Sequence, residues 1–226
     1  MTKLDGAVVL VIGASGGLGS RIAAQLTAAG ARVIRGGRNP ATLTGPDAFI
    51  ADLTTESGSA SIVAAAVDAA GQLDGVVIAA GAVAFGPASE VSDAALDELF
   101  EINALAPIRL MRAAAPHLAK SAADGHEPFI VTISGVVSET PTAGLAAYSA
   151  SKTALAGFVQ AATREFRRSG IRLLDVRPGH TETGLATRAI EGTAPAFPTG
   201  LDPDSVAARI VTAIVENEKD LPSSKF

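Results

Sequence analysis

The sequence predicts an α/β protein with a doubly wound parallel sheet in a single domain. Short runs rich in Val and Ile alternate along the chain with longer, alanine-rich stretches that favour helices. The short runs are apolar throughout, which is typical of strands buried on both faces, and the helical stretches between them supply crossover connections. Because no repeat or linker interrupts this alternation, we expect one layered domain over residues 1–226.

The elements are predicted one by one from the same patterns. The strands are short and rich in β-branched residues; they are predicted at residues 7–12, 32–34, 49–51, 76–79, 129–133 and 171–176. The helices are longer and alanine-rich; they are predicted at residues 20–29, 59–70, 93–119, in a segment headed by Tyr148, and at 204–216. Residues 181–202 are irregular and rich in Gly, Pro and Thr, so we expect a loop that covers a ligand crevice.

The composition excludes several function classes. A net charge of −5 gives no overall attraction to nucleic acid or anionic lipid. Without cysteine the chain forms no disulfide and no zinc-thiolate site, and His117, His126 and His180 lack metal-ligand spacing, so we expect no metal. Every apolar stretch is broken well before the roughly 20 residues that cross a bilayer. We therefore expect a soluble, cytoplasmic protein without nucleic-acid or membrane partners.

A glycine-rich turn joins the first predicted strand to the first predicted helix. Its residues are Gly13, Ala14, Ser15, Gly16, Gly17, Leu18 and Gly19. Glycines allow a tight turn and close approach of the backbone to a ligand, and the free N–H groups of a helix N-terminus favour anions. The order strand, glycine turn, helix therefore predicts a Rossmann-type nucleotide site that holds a pyrophosphate, although a glycine-rich turn alone is also compatible with a simple loop.

Tyr148 is the only tyrosine of the chain, and Lys152 follows it four positions later in a predicted helix. Residues at i and i+4 share one helix face. A nearby ammonium favours the phenolate, so we expect Lys152 to lower the Tyr148 pKa from about 10 toward neutrality. The alternative is an ordinary pair on a solvated helix face.

The spacing Gly13-x-x-x-Gly17-x-Gly19, followed far downstream by Tyr148-x-x-x-Lys152, resembles the short-chain dehydrogenase/reductase family. The resemblance implies hydride transfer between NADP(H) and a small carbonyl or alcohol, with Tyr148 as the proton donor, Lys152 on the nicotinamide ribose and Asn103 anchoring a water in a proton relay. It also implies a homodimer or other homo-oligomer. Further positions that match the family's cofactor contacts are Asp52, Leu53, Ala80, Gly81, Pro178, Gly179, Thr181 and Thr183.

The end of the second predicted strand bears on cofactor choice. NAD enzymes usually place an acidic residue there, whereas NADP enzymes offer an arginine to the 2'-phosphate. This chain has Gly37 at the acidic position and Arg38 beside it. We therefore expect a preference for NADP(H), with an uninvolved loop charge as the alternative reading of Arg38.

One departure from the family pattern concerns catalysis itself. Gly135 stands where the family has its catalytic serine, between Ser134 and Ser138. We predict that Ser138 is the substitute hydrogen-bond donor, because strand alternation aims Ser134 away from the crevice. The missing serine also leaves open a second class of function, an NADPH-binding regulator with little turnover. Apolar residues near the presumed crevice favour an apolar substrate; they are Phe85, Val136, Val137, Leu145, Leu185, Ile190 and Phe197.

Overall fold

The sheet is parallel and has six strands. The computed structural model describes residues 1–55 and 57–226. The strands are β1 (Val8–Ile12), β2 (Arg32–Gly37), β3 (Ala48–Ile50), β4 (Gly75–Ile78), β5 (Phe129–Ile133) and β6 (Arg172–Val176). Their order across the sheet is β3-β2-β1-β4-β5-β6. The strand order runs outward from β1 to β3 on one side and from β4 to β6 on the other, as in a doubly wound dinucleotide-binding sheet. This topology confirms the predicted fold class.

Helices cover both faces of this sheet. They are α1 (Gly19–Ala28), α2 (Gly58–Ala70), α3 (Asp93–Phe100), α4 (Ala106–Ala123), α5 (Ala146–Arg168) and α6 (Pro203–Val215). One apolar core contains Ile62 of α2, Leu110 of α4 and Leu155 of α5, whereas the opposite core contains Ile22 of α1 and Ile210 of α6. The central strands β1 and β4, which are apolar throughout, are therefore buried on both sides.

The predicted single helix over residues 93–119 is wrong in one respect. A π-helical turn, Glu101–Leu105, separates α3 from α4, and α4 continues to Ala123. The buried side chain of Asn103 lies in this turn and bonds to the backbone of Ala82. The π-helical turn thus contains a residue that bonds to a distant part of the chain. Helical periodicity in the sequence does not reveal such a turn.

The parallel register places the ends of the central strands at one edge of the sheet. Ile12 pairs with Ile78, Ile78 with Thr132, and Ile133 with Val176. The segments that leave β1, β4, β5 and β6 therefore meet at this edge, where open α/β sheets bind ligands. Among residues 1–55 and 57–226, no helix combines the length and apolar character needed to cross a bilayer.

Residues 181–202, named the lid here, follow β6 and return across this edge. A bridge between Thr181 and Leu201 joins the two ends of the lid, and a second bridge joins Glu191 to Ala84. The Phe85 N–H donates to the Glu191 carbonyl at 2.9 Å. The loop expected from its Gly, Pro and Thr content is thus irregular but held by backbone hydrogen bonds.

Candidate active site

The glycine turn brings β1, α1 and the end of β4 into close contact. Gly13 has a φ of +77°, and a Cβ atom added there would lie 2.8 Å from the backbone nitrogen of Ala80. A Cβ atom on Gly19 would lie 2.2 Å from the Gly13 carbonyl oxygen. Only glycine fits either position, because any side chain would separate the strand from the helix. The turn thus places its backbone at the ligand edge of the sheet.

The N-terminus of α1 has the open donors that an anion needs. Within the described part of the chain, no side chain caps this helix, and the N–H groups of Gly17 and Leu18 donate to no protein acceptor. Ser15 is exposed beside them, and Gly16 is partly exposed. Free N–H groups and the helix dipole both favour a phosphate. The turn therefore fits the pyrophosphate of a dinucleotide.

The segment after β6 lies against the same turn. A Cβ atom on Gly17 would lie 2.4 Å from the Thr183 carbonyl oxygen. The Thr181 hydroxyl donates to the Gly179 carbonyl at 2.9 Å, and the Pro178 carbonyl accepts from the Val136 N–H at 2.9 Å. The structure thus brings the predicted residues of this segment beside the glycine turn and the loop that leaves β5.

Arg38 and Asp52 lie near each other beyond β2 and β3. Arg38 is exposed, whereas the Arg35 guanidinium donates to the Thr44 carbonyl. The Thr54 backbone N–H and then its hydroxyl hold the pKa of Asp52 below its ordinary value, and the Arg38 charge adds a smaller effect. Leu53 is 5% exposed and belongs to the core under α2. Arg38 is therefore the arginine available to a ligand at this edge.

Tyr148 and Lys152 share the first turns of α5. The Lys152 Nζ atom lies 5.9 Å from the Tyr148 ring centroid and donates to the Ile133 carbonyl at 2.8 Å. Burial lowers the Lys152 pKa to about 8, against an opposing attraction from Asp175. Burial also raises the pKa of Tyr148 to about 12. The expected lowering of the Tyr148 pKa is thus absent in this arrangement, because burial of the phenol outweighs an ammonium that bonds to a backbone carbonyl.

Asn103 is fully buried between the end of β4 and α5. Its Nδ2 atom donates to the Ala82 carbonyl at 2.9 Å and to the Ser151 hydroxyl at 3.0 Å, and its Oδ1 atom accepts from the Ala82 N–H at 3.0 Å. A Cβ atom on Gly81 would lie 3.2 Å from Asn103 Oδ1 and 3.4 Å from Lys152 Nζ. The Asn103 side-chain amide therefore holds the segment after β4 in place beside Lys152. The predicted relay through a water stays a prediction.

The loop after β5 orients three small residues differently. Ser134 is fully buried and its hydroxyl donates to Asp175 at 2.5 Å. Gly135 has a φ of +74°. The Ser138 hydroxyl is 2.8 Å from the Gly135 carbonyl, to which it donates, and 3.1 Å from the Ser134 hydroxyl. Ser134 points away from the crevice as expected, whereas Ser138 serves the loop in this conformation, and its donor role stays a prediction.

Tyr148 is surrounded by apolar residues from the lid and from the segment after β4. The ring packs with two clusters, which contain Ala82, Val83, Ala84, Phe85, Leu99, Ile102, Leu145, Leu185, Ala186, Ala189, Ile190 and Ala194. Phe197 of the lid lies 5.9 Å from Phe85 and 4.8 Å from His180, measured between ring centroids. The space around the phenol is therefore apolar. Among the described residues no cluster of acidic or histidine side chains could hold a metal ion.

The sequence analysis missed Asp175, a 6% exposed carboxylate on β6. It accepts hydrogen bonds from Thr132 of β5, from Ser134 in the loop after β5, and from Arg177. The available signal was a carboxylate between Leu174 and Val176 in the predicted strand, since buried carboxylates need specific partners.

Comparison with known proteins agrees with this geometry. The short chain dehydrogenase family matches residues 7–193. The cyclic-di-GMP-binding biofilm dispersal mediator protein of Escherichia coli (strain K12) is 32% identical over 186 residues, which cover 81% of this chain and 76% of that protein.

Two solved structures have the same fold. The 3-ketoacyl-(acyl-carrier-protein) reductase from Brucella melitensis, complexed with NADH, superposes with a TM-score of 0.85 at 23% identity, covering 98% of this chain and 99% of that one. A short-chain dehydrogenase from Sphingobium yanoikuyae, in complex with NADPH, gives a TM-score of 0.83 at 24% identity, covering 96% of this chain and 87% of that one. With the family match over most of its length, and with the glycine turn, Tyr148 and Lys152 at one sheet edge, this chain belongs to the short-chain dehydrogenase family.

Proposed function

We propose that the protein is an NADPH-dependent oxidoreductase that transfers a hydride between the nicotinamide and a carbonyl or alcohol of a small, apolar substrate. The observation that carries the proposal is the placement of Tyr148 and Lys152 on one face of α5, with Lys152 Nζ 5.9 Å from the phenol ring. The free N–H groups of Gly17 and Leu18 support binding of the dinucleotide pyrophosphate at the same edge.

The roles of the residues follow from their chemistry. When bound, the cofactor supplies or accepts the hydride. Tyr148 donates a proton to the substrate oxygen during reduction, and with a pKa near 12 it is protonated throughout the neutral range. The Lys152 ammonium has donors left beyond its bond to Ile133, and these hold the ribose hydroxyls. Gly81 leaves the space beside Lys152 open, because a side chain there would crowd its Nζ atom.

Cofactor choice rests on Arg38. Its guanidinium is exposed at the end of β2, and Gly37 beside it carries no carboxylate that would repel a 2'-phosphate. Substrate choice rests on the apolar residues that pack around Tyr148. The lid completes this enclosure and would exclude water from the reacting atoms. We also propose a cytoplasmic homo-oligomer, most simply a homodimer.

A panel of carbonyl compounds, followed by NADPH absorbance, tests the proposal. The panel should range from short apolar ketones and aldehydes to charged ones, with a Tyr148→Phe variant as the control for background oxidation. Steady consumption by the parent and none by the variant is the expected result. Tight NADPH binding without turnover across the panel would contradict the enzyme assignment.

The second candidate is a regulator that binds NADPH and turns over little. Gly135 favours it, because this position offers no hydroxyl to the substrate oxygen and its φ of +74° disfavours a serine. The relative from E. coli is named for binding and dispersal rather than for a reaction. The same panel separates the two candidates, and the retained set of Tyr148, Lys152 and Asn103 favours the enzyme.

A further inference from the structure

Asp175 is a carboxylate buried inside the sheet. It lies on β6 between Leu174 and Val176, and both of these residues are fully buried. Its side chain shares the face of the sheet under α5 with Leu173, which belongs to that core. Burial of an ionised group is costly unless hydrogen bonds and opposite charges compensate it. The partners of Asp175 therefore determine how its ionised form is stabilised.

Three donors fix the orientation of this carboxylate. Thr132, which is its register partner on β5, donates at 2.7 Å, and Ser134 donates at 2.5 Å. Arg177 Nη1 donates at 3.1 Å to the oxygen that Ser134 also contacts. Together these three hydrogen bonds restrict rotation of the Asp175 side chain. The negative charge thus has a fixed position beside Ile133, the residue between Thr132 and Ser134.

The positive charge of Arg177 does not balance the negative charges of Asp175 and its neighbouring carboxylates. The same guanidinium also pairs with Glu139 at 2.5 Å and with Asp220 at 2.6 Å. One cation is therefore shared among three carboxylates. Lys219 lines a surface groove together with Asp175 and Arg177, but it is exposed to solvent, where its charge is screened. The local field around Asp175 is consequently negative.

Lys152 of α5 lies close to the end of β5. Lys152 is 5% exposed, and its bond to the Ile133 carbonyl places the ammonium at the last residue of β5. Two uncharged polar groups lie near the ammonium, the Tyr148 phenol and the Asn103 side-chain amide. Asp175 is the charge that acts on Lys152: burial lowers the Lys152 pKa to about 8, and Asp175 opposes this lowering.

We propose that Asp175 is a positioning residue that keeps the buried Lys152 ammonium charged at neutral pH. The inference rests on the proposed function, in which charged Lys152 holds the ribose and acts beside Tyr148. Without the carboxylate, burial would dominate and Lys152 would lose its proton closer to neutrality. The neutral amine binds hydroxyls less strongly, since hydrogen bonds from a charged donor are roughly twice as strong.

The charge of Lys152 can be measured directly by NMR of protein labelled with 13C at the lysine ε carbon. The other lysines, which are Lys3, Lys120, Lys219 and Lys225, are all exposed. The Lys152 signal is therefore distinct, and a Lys152→Arg variant assigns it by its disappearance. This titration needs neither cofactor nor substrate.

Two substitutions should move the Lys152 pKa in opposite directions. Asp175→Asn removes the anion and should lower the pKa by roughly one unit, whereas Arg177→Gln leaves Asp175 less compensated and should raise it. The matched control is Asp220→Asn, because the Asp220 side chain also binds Arg177 but is 62% exposed. We expect little change in that control. A disturbance of the β5–β6 packing would not give shifts of opposite sign.

The outcomes are decisive in each case. An unchanged Lys152 pKa in Asp175→Asn, or a fall in Arg177→Gln, would overturn the proposal. If Asp175→Asn does not fold, Arg177→Gln decides alone, and a rise supports the proposal while any other result overturns it.

Kinetics separate this inference from the proposed function. In the active parent, kcat/KM for carbonyl reduction should fall as the pH rises through the Lys152 pKa. Asp175→Asn should move this alkaline limb to lower pH by the shift that NMR measures. If the two variants shift the Lys152 pKa in opposite directions but the parent consumes no NADPH, the proposed function is wrong. The effect of Asp175 on the Lys152 charge is then still supported. Turnover by the parent together with an unchanged Lys152 pKa in Asp175→Asn would support the proposed function and overturn the assignment of Asp175.

Discussion

Gly192 of the lid lies directly against the backbone carbonyl of Phe85. A Cβ atom at position 192 would lie 1.9 Å from this oxygen, and Gly192 has a φ of +71°. Two backbone hydrogen bonds next to this contact hold the lid on the segment after β4. The Phe85 N–H donates to the Glu191 carbonyl, and the Ile190 N–H donates to the Val83 carbonyl. Glycine is therefore required where the lid reaches the segment after β4.

Gly192→Ala should undock the lid. We expect kcat/KM for the carbonyl substrate to fall roughly tenfold to a hundredfold, because small misplacements around a reacting centre have effects of this order. NADPH affinity should stay within about twofold, measured by fluorescence titration. Gly184→Ala is the matched control, since Gly184 has the same φ of +71° but its added Cβ would lie 3.8 Å from the nearest side-chain atom, in Thr187. Equal losses in both variants would show that backbone strain, and not the contact with Phe85, is responsible.

Tyr148→Phe should abolish carbonyl reduction while NADPH affinity and the melting temperature persist. The substitution removes one hydroxyl and leaves the apolar packing of the ring in place. General acid catalysis is typically worth about 10² to 10⁴ in rate, so residual activity above a tenth would contradict the assignment. Lys152→Ala provides the contrast, because it should lower both turnover and NADPH affinity.

Arg38→Ala should weaken NADPH binding by about tenfold or more, which corresponds to roughly 1.4 kcal/mol, and leave NADH nearly unaffected. The physical reason is the loss of charge-assisted hydrogen bonds to the 2'-phosphate. Titration of both cofactors into parent and variant measures the effect. Arg35→Ala is a useful control, because the Arg35 guanidinium already donates to the Thr44 carbonyl. Equal affinity of the parent for NADPH and NADH would refute the preference.

Ser138→Ala should lower kcat by about a hundredfold if its hydroxyl turns from the Gly135 carbonyl to the substrate oxygen. NADPH affinity should not change. Ser134→Ala should have a much smaller effect on kcat, since the Ser134 hydroxyl is committed to Asp175. Parent-like turnover by Ser138→Ala would remove this donor and strengthen the regulator alternative.

Stability at acid pH should depend on Asp74, which accepts hydrogen bonds at the opposite edge of the sheet. Burial, the largest single influence, raises the pKa of Asp74, but bonds from Ser121, the Val8 N–H and His126 together bring it below its ordinary value. A lowered carboxyl pKa stabilises the fold above the unfolded value of about 3.9, and this contribution is lost as the pH falls below it.

Asp74→Asn should therefore lower the free energy of unfolding by about 2 to 3 kcal/mol at pH 7, with a smaller difference from the parent near pH 3. Urea unfolding at both pH values measures this. Asp124→Asn is the control, because Asp124 forms an exposed pair with Lys120 and should change stability by under about 1 kcal/mol. A difference between parent and Asp74→Asn that is constant with pH would exclude the carboxyl titration as the cause.

The sheet, its crossovers and most of the candidate residues at its ligand edge could be predicted from local patterns in the amino-acid sequence. Strands apolar on both faces can only be buried between helices, and the glycine turn before α1 admits few conformations. These patterns are local, so Gly13, Tyr148 and Lys152 could be found without coordinates.

Tertiary packing set the environments of the side chains, because burial and charge depend on residues far apart in the chain. It set the Tyr148 pKa by packing against the lid, interrupted the helix at Asn103, and turned Ser134 toward a carboxylate 41 residues away. The proposed effect of Asp175 on Lys152 joins two segments far apart in the chain, and no spacing within either segment shows it. Sequence patterns thus determined where the chemistry lies, and long-range contacts determined the electrostatic properties of its groups.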